Sequence, residues 1–218
     1  LFITMRLEGM PIPYLVGRQE FFGRYFKVNQ SVLIPRPDTE VLIEQAQIVV
    51  TPNPRILDLG TGSGCIAITL AKECPNATVV ATDRSAEALD VAKENAQLLD
   101  ATIEFRQGSW WEPIGEEETF DLIVSNPPYI RPDDEHLLKL GTEPLDALTD
   151  HQDGLSAIAE IAHHAMQHLN VGGWLIVEHG YDQGEAVECL FRVSGLAGVR
   201  TVKDYGGNDR ITMGRRAA

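Results

Sequence analysis

Asn126-Pro127-Pro128-Tyr129 follows the apolar run Phe120-Asp121-Leu122-Ile123-Val124 through Ser125, and it has the makings of a grip for a planar NH₂ group. Each proline lacks a backbone N–H, fixes its own φ and pushes the residue before it toward extended geometry. The segment is therefore stiff, and its carbonyls are left for a ligand. Asn126 offers an acceptor and a donor on one side chain, and Tyr129 offers a flat face. Acceptors aimed at an amide or amino nitrogen orient its lone pair toward an electrophile. Taken alone, the tetrapeptide fits a proline-rich turn after a strand equally well.

A second group of residues lies upstream. Arg55-Ile56-Leu57-Asp58-Leu59 reads as a buried strand that runs into Gly60-Thr61-Gly62-Ser63-Gly64, with a helix from about Cys65 to Lys72. Glycines at 60, 62 and 64 let the backbone turn tightly and approach a ligand with no Cβ in the way. The dinucleotide fingerprint wants its third glycine where Cys65 stands, and the phosphate loop wants a lysine this segment lacks. A nucleotide-like ligand without a pyrophosphate fits better. The next strand, Thr78 to Thr82, ends in Asp83, about 20 positions beyond the turn, where an acid accepts hydrogen bonds from ribose hydroxyls. The plainer role for Asp83 is a helix N-cap.

Ser109-Trp110-Trp111 closes a third strand, expected over Thr102 to Gln107. An indole at that position can stack on an adenine; Trp110 is the candidate, and Trp111 reads as a cover for the sheet edge. All these sites fall on the carboxyl edge of one sheet, where open α/β folds bind ligands.

With those residues in view, the chain resembles the class I S-adenosylmethionine-dependent methyltransferases. More narrowly, it is similar to the family that methylates the side-chain nitrogen of a glutamine in peptide chain release factors. The resemblance rests on Ile34-Pro35-Arg36-Pro37-Asp38-Thr39-Glu40, Asp58 to Gly64, and Asn126-Pro127-Pro128-Tyr129-Ile130. It continues through Glu143-Pro144-Leu145, Asp153-Gly154-Leu155, Glu178-His179-Gly180 and Asp204-Tyr205-Gly206-Gly207-Asn208-Asp209-Arg210. One departure is Ser109, where the family usually carries an acid before the adenine-edge tryptophan. Ser109 still accepts a hydrogen bond.

The resemblance implies a Rossmann-like α/β domain over residues 35–218, with a seven-stranded mixed sheet in the order 3-2-1-4-5-7-6 and helices on both faces. It also implies that residues 1–34 are a β-hairpin linker and the tail of a helical domain upstream. The implied cofactor is S-adenosyl-L-methionine, leaving as S-adenosyl-L-homocysteine. Its binding residues would be Asp58, Gly60, Thr61, Gly62, Ser63, Gly64, Asp83, Ser109, Trp110 and Asn126. The implied partner is a class-1 release factor, with the glutamine of its Gly-Gly-Gln loop held by Asn126, Pro127, Pro128 and Tyr129. In that grip the Asn126 side chain and the Pro127 carbonyl bind the amide N–H groups, Tyr129 holds the amide plane and Pro128 fixes the corner. Competing readings are a ribosomal-protein glutamine, an exocyclic amine of DNA adenine or cytosine, and a non-catalytic cofactor-binding scaffold.

The bulk properties narrow these. A chain of 218 residues, 44% of them apolar, holds one large domain and contains no run long enough to span a bilayer. No basic stretch followed by an apolar one marks a secretory signal. Cys65, Cys74 and Cys189 form no C-x-x-C pair, which fits a reducing cytoplasm. A net charge of −14, from 32 acids against 18 bases, opposes binding to bare nucleic acid and favours a basic partner, though it equally serves solubility.

The elements that must position the chemistry follow from period and punctuation. Glu20 to Val28 alternates around Gly23 as a small hairpin. Pro35-Arg36-Pro37 leads into a helix from near Asp38, where Arg36 either contacts substrate or cofactor or salt-bridges locally. A helix is expected over Ala86 to Leu98, and an irregular, substrate-facing stretch from Ile130 to about Gln152. The helix from about Leu155 to Leu169 carries His164 and His168 four apart. Its apolar positions and the missing glutamate of an H-E-x-x-H site point to core packing, so no metal is expected. Glu178 ends a strand, Leu175 to Val177, and is expected to accept backbone hydrogen bonds, with His179 at the pocket rim. A helix over Gln183 to Ser194 and strands near Val199–Asp204 and Arg210–Arg215, flanking Gly206-Gly207-Asn208, complete the sheet with an antiparallel hairpin.

Overall fold

In the computed structural model, which describes residues 2–7, 9–135, 137 and 140–218, two short helices, α1 (Phe2–Leu7) and α2 (Ile12–Val16), lead into a β-hairpin. Its strands are β1 (Arg18–Phe21) and β2 (Arg24–Lys27). Phe22 and Gly23 make the turn with φ of 49° and 72°, the left-handed pair that a two-residue hairpin turn requires. The hairpin lies two residues earlier than expected at its first strand. It folds inward through Phe21 and Phe26, whose rings meet edge to face at 6.2 Å.

A single 3₁₀ turn, Pro37–Thr39, precedes α3 (Glu40–Val49), so the helix expected from Asp38 starts two residues later. Proline at 37 suits a first turn because its missing N–H has no helical partner to lose. Then come β3 (Arg55–Leu59), α4 (Cys65–Glu73), β4 (Thr78–Asp83), α5 (Ala86–Leu98), β5 (Glu104–Gln107) and β6 (Phe120–Ser125). A short helix, α6 (Leu145–Leu148), interrupts the stretch read as irregular. After it follow α7 (Ser156–His168), β7 (Leu169–Glu178), α8 (Gly184–Val193), β8 (Ala197–Lys203) and β9 (Asp209–Arg215).

Seven strands form one sheet in the order β5-β4-β3-β6-β7-β9-β8. Counted from β3 as the first, this is the expected 3-2-1-4-5-7-6. The first five run parallel, and β9 pairs antiparallel with both β7 and β8. Strands covered on both faces carry near-continuous apolar runs, and the alternation here divides two cores. Ile56, Leu122 and Ile176 point to the face packed by α3 and α4. Their neighbours Leu57, Ile123 and Leu175 point to the face packed by α7 and α8.

Two strands differ in length from expectation. Thr102 and Ile103 lie outside β5, which starts at Glu104. β7 begins at Leu169, because Gly172 and Gly173 lie within the strand instead of before it. A Cβ on Gly173 would stand 3.1 Å from the carbonyl oxygens of both Phe120 and Asp121. That is where the pairing with β6 shifts register, a close backbone approach that only glycine permits.

Candidate active site

The carboxyl ends of β3, β4 and β6 open onto a cavity of about 630 Å³. β3 lies between β4 and β6, so the crevice sits where the chain reverses its direction of travel across the sheet, the usual binding place of an open α/β fold.

The glycine turn forms one wall. Gly60, Thr61, Gly62 and Ser63 all line the cavity. Gly60 takes φ 73°, and a Cβ there would sit 3.3 Å from the Trp110 ring, so the turn and the indole touch only because the side chain is absent. Gly64, at φ 81°, faces away; its Cβ would press on Ile68 and Ala92 at 3.0 and 3.2 Å. Its role is close packing of α4 against α5. The turn is held from below. Thr82 O accepts the N–H groups of Gly60 and Thr61 at 2.9 and 2.8 Å, and Thr61 Oγ1 donates to Asp58 Oδ2 at 2.7 Å. Asp58 is fully buried beneath the turn, does not line the cavity, and is pushed up to about pKa 7 by burial.

Asp83 stands at the end of β4 in the cavity wall. Its Oδ2 accepts from Gly62 N at 2.9 Å and its Oδ1 from Ser85 N at 3.0 Å. Each oxygen keeps a second lone pair for a ligand hydroxyl. Burial raises its pKa, opposed by those backbone N–H groups and Arg84. The N-cap of α5 is Ser85, whose Oγ accepts from Ala88 N at 3.1 Å, so Asp83 does not serve as that cap. Ser109 and Trp110 close the far end of the wall. Trp110 holds a positive φ of 42°, and Ser109 N is bonded to Glu112 Oε2 at 2.8 Å. Trp111 turns away and stacks on His168 at 4.8 Å. His168 in turn bonds the Glu118 carbonyl through Nδ1, placing that histidine in packing.

Asn126, Pro127 and Pro128 face the glycine turn across the cavity. Among the described residues the Asn126 carboxamide makes no hydrogen bond, so its donor and acceptor remain for a ligand. Tyr129 stands behind the corner and does not line the cavity. Its hydroxyl donates to Glu178 Oε1 at 3.1 Å and its carbonyl accepts from Gln183 Nε2 at 3.1 Å.

Two local expectations are corrected. Glu178 takes a side-chain hydroxyl, that of Tyr129, in place of the expected backbone N–H groups. His179 is not at the rim: it is fully buried, with its ring nitrogens bonded to Gly180 O and Thr212 Oγ1, each at 2.8 Å. Of the two roles open to Arg36, the ion pair is present, with Glu143, and the residue also lines the cavity. That glutamate also accepts from Ile34 N at 3.0 Å and is buried.

Sequence reasoning missed Asn95, buried in α5. Its Nδ2 donates to the carbonyls of Ser63 and Lys27 at 2.9 and 3.0 Å, and its Oδ1 accepts from Lys27 N at 2.7 Å. One amide thus pins both the glycine turn and the N-terminal hairpin. An asparagine midway along a helix pattern is the only sequence signal, since that residue is a poor helix former without a tertiary reason.

A parallel sheet closed by an antiparallel hairpin, with a glycine turn, an edge acid and a proline corner around one crevice, defines a class I methyltransferase. The methyltransferase small domain family matches residues 37–143. The fold is shared with a methyltransferase from Pyrococcus furiosus, at TM-score 0.69 and 18% identity over 99% of this chain and 98% of that one. It is shared also with the Thermus thermophilus 16S rRNA N2 G1207 methyltransferase solved with AdoMet and guanosine, at TM-score 0.65 and 16% identity over 91% and 49%. Among curated proteins, the release factor glutamine methyltransferase of Aliivibrio fischeri is 47% identical over 98% of this chain and 76% of its own length. The enzymes of that name from Neisseria gonorrhoeae and Bordetella pertussis are 48% and 49% identical over 96% of this chain, and 78% and 79% of theirs. The chain belongs to the release factor glutamine methyltransferase family.

Proposed function

We propose that this enzyme transfers a methyl group from S-adenosylmethionine to the side-chain amide nitrogen of the glutamine in the Gly-Gly-Gln loop of class-1 release factors. The observation that carries the reading is the Asn126 carboxamide, unpartnered among the described residues and lining the same cavity as the glycine turn. The two stand on paired strands, with Leu59 of β3 in register with Ser125 of β6.

The residues present fit an adenosyl cofactor. Gly60 to Ser63 allow its close approach, Asp83 offers acceptor lone pairs to ribose hydroxyls, and Trp110 presents an indole face to the base. Ser109 stands beside that face as a hydrogen-bonding group. When bound, the cofactor supplies a methyl group already activated by a sulfonium.

What remains for the protein is alignment and electrostatics. An amide nitrogen is a poor nucleophile because its lone pair is delocalised into the carbonyl. Acceptors from Asn126 and the Pro127 carbonyl would hold both N–H groups and favour localisation of that lone pair toward the methyl. Placement of this kind contributes on the order of 7–11 kcal/mol, so a dedicated base is not required and the displaced proton leaves to water. The acidic surface suits a basic protein partner. Among the described residues no helix is long and apolar enough to cross a membrane, in keeping with the cytoplasm, where release factors work.

The test is radiolabelled methyl transfer with three acceptors: intact release factor, its Gln→Ala version, and duplex DNA. Label in the first alone is expected. Label in the Gln→Ala protein or the DNA would overturn the reading.

A further inference from the structure

Behind the proline corner lies a buried group of polar side chains drawn from distant parts of the chain. Glu178, 2% exposed, accepts the Tyr129 hydroxyl on Oε1, while its Oε2 has no well-formed hydrogen bond among the described residues. Thr39, from the 3₁₀ turn, is equally buried and lies against that carboxylate, and its hydroxyl likewise has no well-formed hydrogen bond among the described residues. It also lines the cavity, as does Cys65 at the start of α4, which faces the same acid. Arg210 approaches from β9. Its Nε donates to Asp204 Oδ2 at 3.0 Å, its guanidinium lies 3.8 Å from Asp38, and it faces both Tyr129 and Glu178. The titratable and charged groups facing Glu178 are thus Tyr129, Arg210, Asp38 and Cys65.

Packing alone does not call for an acid here. Burial disfavours its charge, and only one of its oxygens is fully bonded. What the acid does is hold the residue that follows Pro128. Tyr129 is fastened at its hydroxyl by Glu178 and at its carbonyl by Gln183, so the Asn126–Tyr129 segment cannot pivot.

We propose that Glu178 is a positioning residue for methyl transfer: as a carboxylate balanced by Arg210, it accepts the Tyr129 hydroxyl and sets the angle at which the proline corner meets the substrate amide. This inference rests on the glutamine-methyltransferase reading above. Burial pushes Glu178 up to about pKa 7, opposed by Thr39, Arg210 and Tyr129 and reinforced by Asp38. The carboxylate therefore fills as pH rises through neutrality, and turnover rises with it. Cofactor binding, made by the glycine turn and Asp83, does not follow.

The experiment measures kcat and KM for intact release factor from about pH 6 to about pH 9. It compares wild type, Glu178→Gln and Tyr129→Phe, with cofactor Kd by calorimetry and thermal unfolding on each. Wild type is expected to show an acid limb in kcat near neutrality. Glu178→Gln, which cannot titrate, loses that limb and runs about 5- to 10-fold slower at high pH, because a neutral amide is a weaker acceptor. Tyr129→Phe lowers kcat by about tenfold at unchanged cofactor Kd. An acid limb that persists in a folded Glu178→Gln, or cofactor affinity that falls in step with kcat, overturns the inference. Should Glu178→Gln fail to fold, Tyr129→Phe decides, and an unaltered kcat there overturns it. Wild type that methylates no release factor at any pH instead defeats the parent reading.

Discussion

Ser125 Oγ donates a 2.7 Å hydrogen bond to the carbonyl of Leu59. The bond joins the last residue of the strand that carries the glycine turn to the last residue of the strand that carries the proline corner. The two halves of the site are thereby set in register within the sheet, before any ligand arrives.

Ser125→Ala removes that tie. Losing a buried hydrogen bond costs about 1–2 kcal/mol, to be read from urea unfolding of the two proteins. Turnover is expected to fall more than cofactor affinity, since the glycine turn keeps its own bonds to Thr82. A loss confined to cofactor binding would show that the tie serves the wrong half of the site.

Gly60→Ala places a methyl 3.3 Å from the Trp110 ring at a φ of 73°. Strain and contact act together where the ligand must approach. Cofactor affinity measured by calorimetry is expected to drop at least about tenfold, on the scale of the left-handed backbone penalty. Gly62→Ala tests the backbone effect alone, because nothing lies within 4 Å of a Cβ there despite its φ of 56°. It should cost less.

Asp58 gives a stability prediction whose sign differs from the usual carboxylate. Burial raises its pKa from 3.8 to about 7 in the folded protein. Between those values the folded state holds more protons than the unfolded one, so stability falls as pH rises through that window. Asp58→Asn keeps an acceptor for Thr61 and removes the titration. Its stability is expected to decline less than that of wild type between pH 5 and pH 8, by roughly 1 kcal/mol or more. Thermal unfolding across that range checks it, and identical pH slopes would contradict it.

Those parts of the fold written in local chemistry were legible in the sequence. Ala86 to Leu98 has helical spacing, and the helix ends fall where the pattern puts them, although its cap is Ser85 and not Asp83. Gly60, Gly62 and Gly64 announced a turn because all three need positive φ. Length across the sheet was harder to read. Gly172 and Gly173 resemble a turn until the backbones of β6 and β7 are seen to crowd Gly173. Tyr129 was read as a face for the substrate, but its partner is 49 residues away in sequence and draws the hydroxyl inward. Arg36 and Glu143, 107 residues apart, were likewise separate motifs until the fold paired them. Spacing shows which residues share a local element, whereas pairing across the sheet depends on topology.

The most direct measurement is methyl transfer by Asn126→Ala, with turnover on release factor and cofactor Kd determined on the same preparation. Loss of the Asn126 carboxamide from the cavity wall is expected to lower kcat at least about 100-fold while cofactor Kd stays within about twofold. Turnover equal to wild type would contradict the amide-gripping corner, and so would a loss matched by an equal loss of cofactor affinity.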